Sequence, residues 1–497
     1  MDRPNLFHVL VEQRGWSSFP SFNIHFTEIA RDLARASEQP QRATAVSITR
    51  RTFERWDSGA LAGLPTADVW PILQEMFGFP VEELFAPAPE LLAPERHPQA
   101  GDFLGAAREI ERRWPTSHLS LALMSRGTDV WELDGARVFD GTTVAVTFQE
   151  VHGRSSGDRQ ELPRTDSLTA FTRPSRRGLI VGGSFQRSSP RLYLLDSTIA
   201  RGRLATGRSG SLMVPAAHEL DDLTYALVWS LLNMDDALLA DGESLEAEQE
   251  NLGAWLNMPR SAASRSGWPG LTAIGSTYLG SKFCAQHIMS RLDDVSDIPA
   301  FWSREQSGEE AASWLFFRHK HAYLAQIGER FAGPGSRLAR AFCIPEQAVK
   351  ESEPYERVLL FLALALMELS GITVRVCVEP EYGDVDGFVL IPGQRAITAT
   401  WVRSEALWHV DSTEHRATVS EYADAVAHAD AHSIMSGEEP GQRLRALAGY
   451  LDLDWPWLVR RCAGLGELGL AGMIRPRSRL LTTDQVDSVL RFVGTLG

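Results

Sequence analysis

Residues 49–59 read TRRTFERWDSG, and their types and spacing allow a definite chemistry. Arg51 and Arg55 are four apart and share one helical face, with Arg50 and Thr52 near the N-terminal end. Phe53 and Trp56 are three apart and share another face, able to pack on a preceding helix. Thr49 is a good N-cap and Ser58-Gly59 a good stop, so the stretch predicts a short capped helix. Its exposed guanidinium groups could pair with phosphate oxygens or guanine edges, and its N-terminal end favours a phosphate. The bland reading is a solvated amphipathic surface helix.

A second basic feature lies further along. Residues 151–210 hold eleven arginines against Asp158, Glu161, Asp166 and Asp196, a local balance of +7, so the rest of the chain carries -22 of the net -15. Within this island Arg173, Arg176 and Arg177 are candidates for contact with an anion, either flanking nucleic acid or a nucleotide-like effector. The competing reading is scattered solvated arginines on hairpins.

Other constellations are weaker. His428 and His432 have a chelating i,i+4 spacing, but two exposed histidines on an Ala-rich helix are commoner, and no metal site is assigned. Phe317-Arg-His-Lys-His321 continues a helix containing Trp314, Leu315 and Phe316 and reads as a solvated basic turn. The acidic pairs at 221–222, 235–236 and 293–294 suit helix ends better than magnesium. Gly182-Gly183 follows Leu-Ile-Val without a phosphate-loop pattern around it. His409 and Asp411 alternate on one strand face and fit packing and hydrogen bonding.

These groups must be held by more than one core, since 497 residues exceed what a single core usually serves. Hydrophobic content of 44% and charged content of 23% are ordinary for a globular protein. The longest apolar run, Val358–Met367, is about half a membrane span and predicts a buried helix. The N-terminus lacks a basic region followed by a long apolar stretch, so no secretory signal is expected. Cys284, Cys343, Cys377 and Cys462 form no C-x-x-C pair, which fits a reducing cytoplasm. Arginine supplies 46 of the 49 basic residues, leaving only Lys282, Lys320 and Lys350.

The expected organisation is multidomain. Residues 1–85 form an all-α head with three- and four-residue apolar spacing. A Pro-rich linker covers 86–98. A short helix over 102–114 precedes an α+β body over 99–350, with antiparallel strands signalled by hairpin turns at Asp134-Gly135 and Asp140-Gly141. A helix over 221–242 stops at Gly242. A second α+β domain covers 351–497 and ends mostly helical.

The head resembles the XRE-type helix-turn-helix regulators, in the long form common in actinobacteria and Streptomyces-like. The resemblance rests on Thr49-Arg50-Arg51-Thr52 with Arg55-Trp56 and Ser58-Gly59, then Leu64-Pro65 with Asp68, then Phe77-Gly78 through Phe85. It covers about 85 residues. It departs from the family at EQPQRATAVSI, where the compact motif has a turn of three or four residues. The resemblance implies a sequence-specific transcriptional regulator of double-stranded DNA, with Thr49, Arg50, Arg51, Thr52 and Arg55 as contacts. It implies no catalytic activity and no cofactor; the long body could dimerise and sense a small-molecule or protein effector. The first 98 residues carry nine arginines against thirteen acidic residues, so a homodimer on paired half-sites is expected.

A weaker resemblance links 358–413 to the core of transglutaminase-like cysteine hydrolases. Asp411 matches the orienting Asp, but the helix start near Tyr355 has no Cys, and Ala399 stands where the family has His. The region is expected to be a non-catalytic version of that fold. Two other classes stay open: a hydrolase or transferase with an accessory helical domain, and an interaction scaffold that does not bind DNA.

Overall fold

The computed structural model describes residues 5–13, 16, 19–36, 46–60, 63–77, 79–87, 117–121, 130–135, 144–156, 159–173, 177–183, 191–206, 211–253, 261–264, 270–333, 335, 337–402 and 407–497. The expected helix over 102–114, most of the linker and most of the EQPQRATAVSI segment lie outside the described residues.

The N-terminal segment contains α1 (Leu6–Gln13), α2 (Phe19–Ala36), α3 (Arg50–Asp57), α4 (Trp70–Phe77) and α5 (Val81–Leu84). Their apolar faces close on a core of their own, built from Phe7, Phe22, Phe26, Phe53, Trp56, Leu73, Phe77 and Leu84 among others. Phe7 is its hub. Its ring lies 5.3 to 6.3 Å from those of Phe22, Phe53, Trp56, Phe77 and Phe85. Both ends of the unit meet: Leu6 N–H donates to the Ala86 carbonyl at 3.0 Å, and Asn5 bridges to Pro87.

The rest is mixed α+β. First come β1 (Ser117–Leu121), β2 (Val130–Gly135), β3 (Val144–Glu150), β4 (His152–Ser156), β5 (Arg159–Pro163), α6 (Asp166–Thr172), β6 (Gly178–Gly183), β7 (Leu192–Asp196), α7 (Ser197–Thr206) and β8 (Ser211–Pro215). They form a five-stranded sheet in the order β1-β2-β3-β6-β7 and a three-stranded sheet β4-β5-β8. β2 pairs antiparallel with β3, but Asp134 and Gly135 lie inside β2, opposite His118 and Ser117 of β1, rather than in the expected hairpin turn, and Asp140-Gly141 lies outside the described residues.

Next are α8 (Asp222–Gly253), β9 (Ser261–Ser264), α9 (Ala273–Leu292), β10 (Ala300–Ser303), α10 (Gly308–Phe316), α11 (Arg318–Phe331), β11 (Ala339–Cys343), α12 (Glu346–Glu351), α13 (Pro354–Leu369) and β12 (Thr373–Cys377). β13 (Phe388–Ile391), β14 (Arg395–Thr400) and β15 (Leu407–Thr413) complete a seven-stranded sheet, β12-β11-β10-β13-β14-β15-β9. Helices α14 (Arg416–His432), α15 (Pro440–Tyr450), α16 (Trp455–Leu468) and α17 (Asp484–Gly494) end the chain.

Two expectations here need correction. The sheets are not purely antiparallel, because β3 runs parallel to β6, and β11 runs parallel to both β10 and β12. The stop expected at Gly242 is present: it adopts φ +21° and ψ -103°, outside helical geometry and in a region that favours glycine, so α8 consists of two helical runs that meet there, the second reaching Gly253. The boundary expected at 350 falls between neighbouring strands of one sheet, where Ala339 pairs with Thr373 and Cys343 with Cys377. One apolar cluster runs from Val144 to Val493. The segment between β11 and β12 is a crossover connection, which parallel neighbours require and which cannot be a domain border.

The apolar run became α13, in which every residue from Val358 to Met367 is buried. Among the described residues, no helix is long and apolar enough to cross a membrane. Gly308 lets α10 approach it closely: a Cβ there would lie 1.9 Å from the Glu356 carbonyl oxygen. Gly308→Ala should therefore push the two helices apart and cost on the order of 1–3 kcal/mol, read as a lower urea midpoint. An unchanged midpoint would show that the contact yields without strain.

Candidate nucleic-acid interface and an inner cationic pocket

Helix α3 takes the form its sequence dictates. Thr49 Oγ1 accepts from Thr52 N–H at 3.2 Å, and the two hydroxyls lie 2.8 Å apart. Ser58 N–H returns to the Glu54 carbonyl at 3.0 Å, and Gly59 follows at φ +70°. Phe53 and Trp56 are both 3% exposed, whereas Arg50, Arg51 and Arg55 face solvent. Arg50 Nε lies 2.9 Å from Glu54 Oε1, an exposed i,i+4 pair worth little. Arg51 and Arg55 form no ion pair with a described carboxylate. The far end of α3 is anchored: Asn5 Nδ2 donates to the Trp56 carbonyl at 2.8 Å, and His8 Nδ1 lies 2.8 Å from Asp57 Oδ1. Thr49 and Thr52 thus form the cap, while the arginines supply an outward cationic face.

The basic island divides differently from expectation. Arg177 is buried, with Nε 2.8 Å from Asp196 Oδ2 and an Nη 2.9 Å from Asp235 Oδ2, and it also donates to the Arg475 carbonyl. It ties β6, β7, α8 and the segment before α17 together and offers nothing to an outside anion. Arg203 donates to the Met213 and Gly472 carbonyls at 3.0 and 2.7 Å. Arg173 is exposed at the end of α6, and Arg176 lies outside the described residues.

The five-residue run 317–321 is also corrected. Phe317 leaves helical geometry at ψ 120°, so a new helix starts at Arg318 and rotates the side chains out of the expected phase. Lys320 is consequently 2% exposed. It borders a small cleft of about 50 Å³ between α9, β10, α11, β13 and β14. Lys320 Nζ sits 3.7 Å from Glu305 Oε1, 3.5 Å from the Trp314 ring centre and 4.3 Å from that of Trp401. Glu305 Oε1 accepts from Trp314 Nε1 at 2.7 Å. Arg340, reaching in from β11, donates to Ser303 Oγ at 2.8 Å and Tyr323 OH at 3.4 Å, with its guanidinium over Phe301 at 4.6 Å. At the cleft, Arg304 lies 3.6 Å from Asp386, which also accepts from Thr400 at 3.1 Å.

Burial dominates the electrostatics here. It pushes the Lys320 ammonium down to about 7, opposed by Glu305 and reinforced by Arg340. Burial also raises the neighbouring Cys284 thiol to about 12 and holds His319 well below the usual imidazole range, with Lys320 and Lys282 adding to the second effect. Sequence reasoning passed over Glu305 and Arg340 altogether. The available signal was the rarity of lysine combined with its position directly after Trp314–Phe317.

The remaining candidates are structural. Asp235 accepts the backbone N–H groups of Arg477 and Ser478, and Asp221 pairs with Arg461. A Cβ on Gly182 would meet Leu162 at 2.7 Å, so that glycine serves close packing. His428 stacks on Tyr382 and His432, each at 4.2 Å, and pairs with Glu379. Among the described residues no group of three or more His, Cys, Asp or Glu could hold a metal. Ala399 and Asp411 stand on adjacent strands β14 and β15, and buried Tyr355 donates to Glu309 at the start of α13. All four cysteines are buried and unbridged, although Cys343 and Cys377 are register partners.

No protein-family profile, curated protein or solved structure matches this chain.

Two outcomes follow from these buried charges. Arg177→Met removes the partner shared by Asp196 and Asp235 and should cost about 3–5 kcal/mol in chemical denaturation; a loss below about 1 kcal/mol would make the pairing dispensable. For Lys320 the folded value lies below the unfolded one, so the unfolded chain binds more protons between pH 7 and about 10. Stability should rise with pH there, by up to ~1.4 kcal/mol per unit. The joint variant Lys320→Met with Glu305→Gln should lose that slope, and a slope shared by both proteins would assign it elsewhere.

Proposed function

We propose that the chain is a sequence-specific DNA-binding transcriptional regulator of the helix-turn-helix kind, resembling the long XRE-type regulators. Helix α3 inserts into the major groove with Arg51 and Arg55 toward base edges or phosphates and Arg50, Thr49 and Thr52 near its N-terminal end. One observation carries this reading. A helix capped at both ends buries its two aromatic residues and leaves its arginines outward. An ordinary surface helix needs no such anchoring of its C-terminal end by Asn5 and His8. Because the first 98 residues are net acidic, two heads on paired half-sites supply the affinity that one lacks. The body holds the pair together and responds to an effector.

Selection of the full chain against random duplexes tests this. An enriched site with two half-sites is expected. On that site Arg51→Ala should lose about 1–3 kcal/mol and relax one base preference. Failure to enrich any sequence, or equal binding by Arg51→Ala and Arg55→Ala, would favour an interaction scaffold instead.

A further inference from the structure

The cysteines divide into two kinds. Cys284 and Cys462 are buried on separate helices, α9 and α16, and burial pushes the thiol up in both, to about 12 at Cys284. A thiol raised in this way is a poor nucleophile. Cys343 and Cys377 are instead register partners that end the adjacent parallel strands β11 and β12. Such partners point to one face from backbones about 4.8 Å apart, inside the ~4.4–6.8 Å between Cα atoms that a disulfide takes. Both lie in the apolar cluster under α14, 2% and 0% exposed. The Cys343 thiol donates to the Glu379 carbonyl at 3.1 Å, and the Cys377 thiol to the Phe342 carbonyl at 3.6 Å. A hydrogen bond with the Cys343 side chain holds the Cys377 thiol below its ordinary value, against the opposing effects of burial and Glu379. The pair occupies the last position of each strand, within three residues of half-buried Pro345 and Glu379 and exposed Pro380, so it lies near the solvent end of the sheet.

We infer that Cys343 and Cys377 are a reversible redox site that reacts with a hydroperoxide and closes into a disulfide. The Cys377 thiolate attacks the terminal peroxide oxygen. The O–O bond breaks, and the leaving alkoxide takes up the proton that Cys377 released, which gives a sulfenic acid. The Cys343 sulfur then attacks that sulfur; the S–O bond breaks, and hydroxide leaves as water with the Cys343 proton. Two thiols and one hydroperoxide thus give one disulfide, one alcohol and one water, the sulfurs losing the two electrons that the peroxide gains. The bridge joins both ends of the crossover that carries α12 and α13, and it removes the hydrogen that Cys343 gives to Glu379. This goes beyond DNA recognition and does not depend on it.

Thiol counting on the full chain tests the assignment, with hydrogen peroxide as oxidant, alkylation of the remaining thiols under denaturing conditions and peptide mapping without reductant. Two of the four thiols should be lost, recovered as one peptide pair linking Cys343 to Cys377, and restored by dithiothreitol. Cys377 should oxidise about tenfold or more faster than Cys284 and Cys462. Cys343→Ser removes the second sulfur and should leave Cys377 as a sulfenic acid that dimedone traps. If that variant does not fold, the unchanged chain unfolded in guanidinium decides, since the selective loss of these two thiols should vanish there. The inference is overturned if all four thiols survive excess peroxide, if the bridge joins other cysteines, if Cys284 or Cys462 oxidises as fast as Cys377, or if the unfolded chain shows the same selectivity.

Discussion

Helix α13 has no face to offer water. From Val358 to Met367 its side chains are apolar and buried, so every direction around it must be covered by other parts of the chain. This forces elements distant in sequence to assemble around it: α8, α10, α15, α17 and β12 all pack on it. Its polar ends are settled inside the protein as well. At the start the Glu353–Glu356 capping box satisfies backbone donors, and the Tyr355 hydroxyl reaches Glu309. At the end Glu368 accepts from Val374 N–H and from the Arg443 guanidinium, and that bond holds Arg443 above the ordinary arginine value. Burial supplies the driving force, and these satisfied ends keep it from being cancelled by orphaned polar groups.

The body handles buried guanidinium groups in two ways. Arg177 is enclosed by carboxylates and backbone acceptors, and its position where β6, β7, α8 and the C-terminal segment meet makes it a structural tie. Arg340 rests on hydroxyls and aromatic faces beside open space. The same residue type thus marks a closed joint in one place and an unsatisfied wall in another. Sequence position alone does not separate them, since the partners of Arg177 are nineteen and fifty-eight residues away.

What could be read in advance was local. Caps, stops and three- or four-residue apolar spacing define α3, and alternation marks 130–151 as strand-forming, although the turn signal at Asp134-Gly135 falls inside β2. The run at 358–367 declares itself a buried helix. What could not be read depends on partners far along the chain. The phase of Lys320 changes because Phe317 breaks the helix, and that residue looks helix-compatible in isolation. Parallel pairing leaves no turn signal, so the crossover from β11 to β12 looked like a domain border. The charge cluster of Lys320, Glu305 and Arg340 assembles from three separate elements, and only the first drew notice.

The head has an economy of connection at Asn5. Its backbone bridges to Pro87, where the chain leaves the head, while its side chain holds the carbonyl of Trp56. One residue therefore touches both the exit point and the arginine-bearing helix. The Leu6–Ala86 hydrogen bond and the Phe85–Trp56 ring contact at 5.9 Å join the same exit to α3 and its aromatic core. The chain that follows the head is thus attached beside the C-terminal end of its arginine-bearing helix.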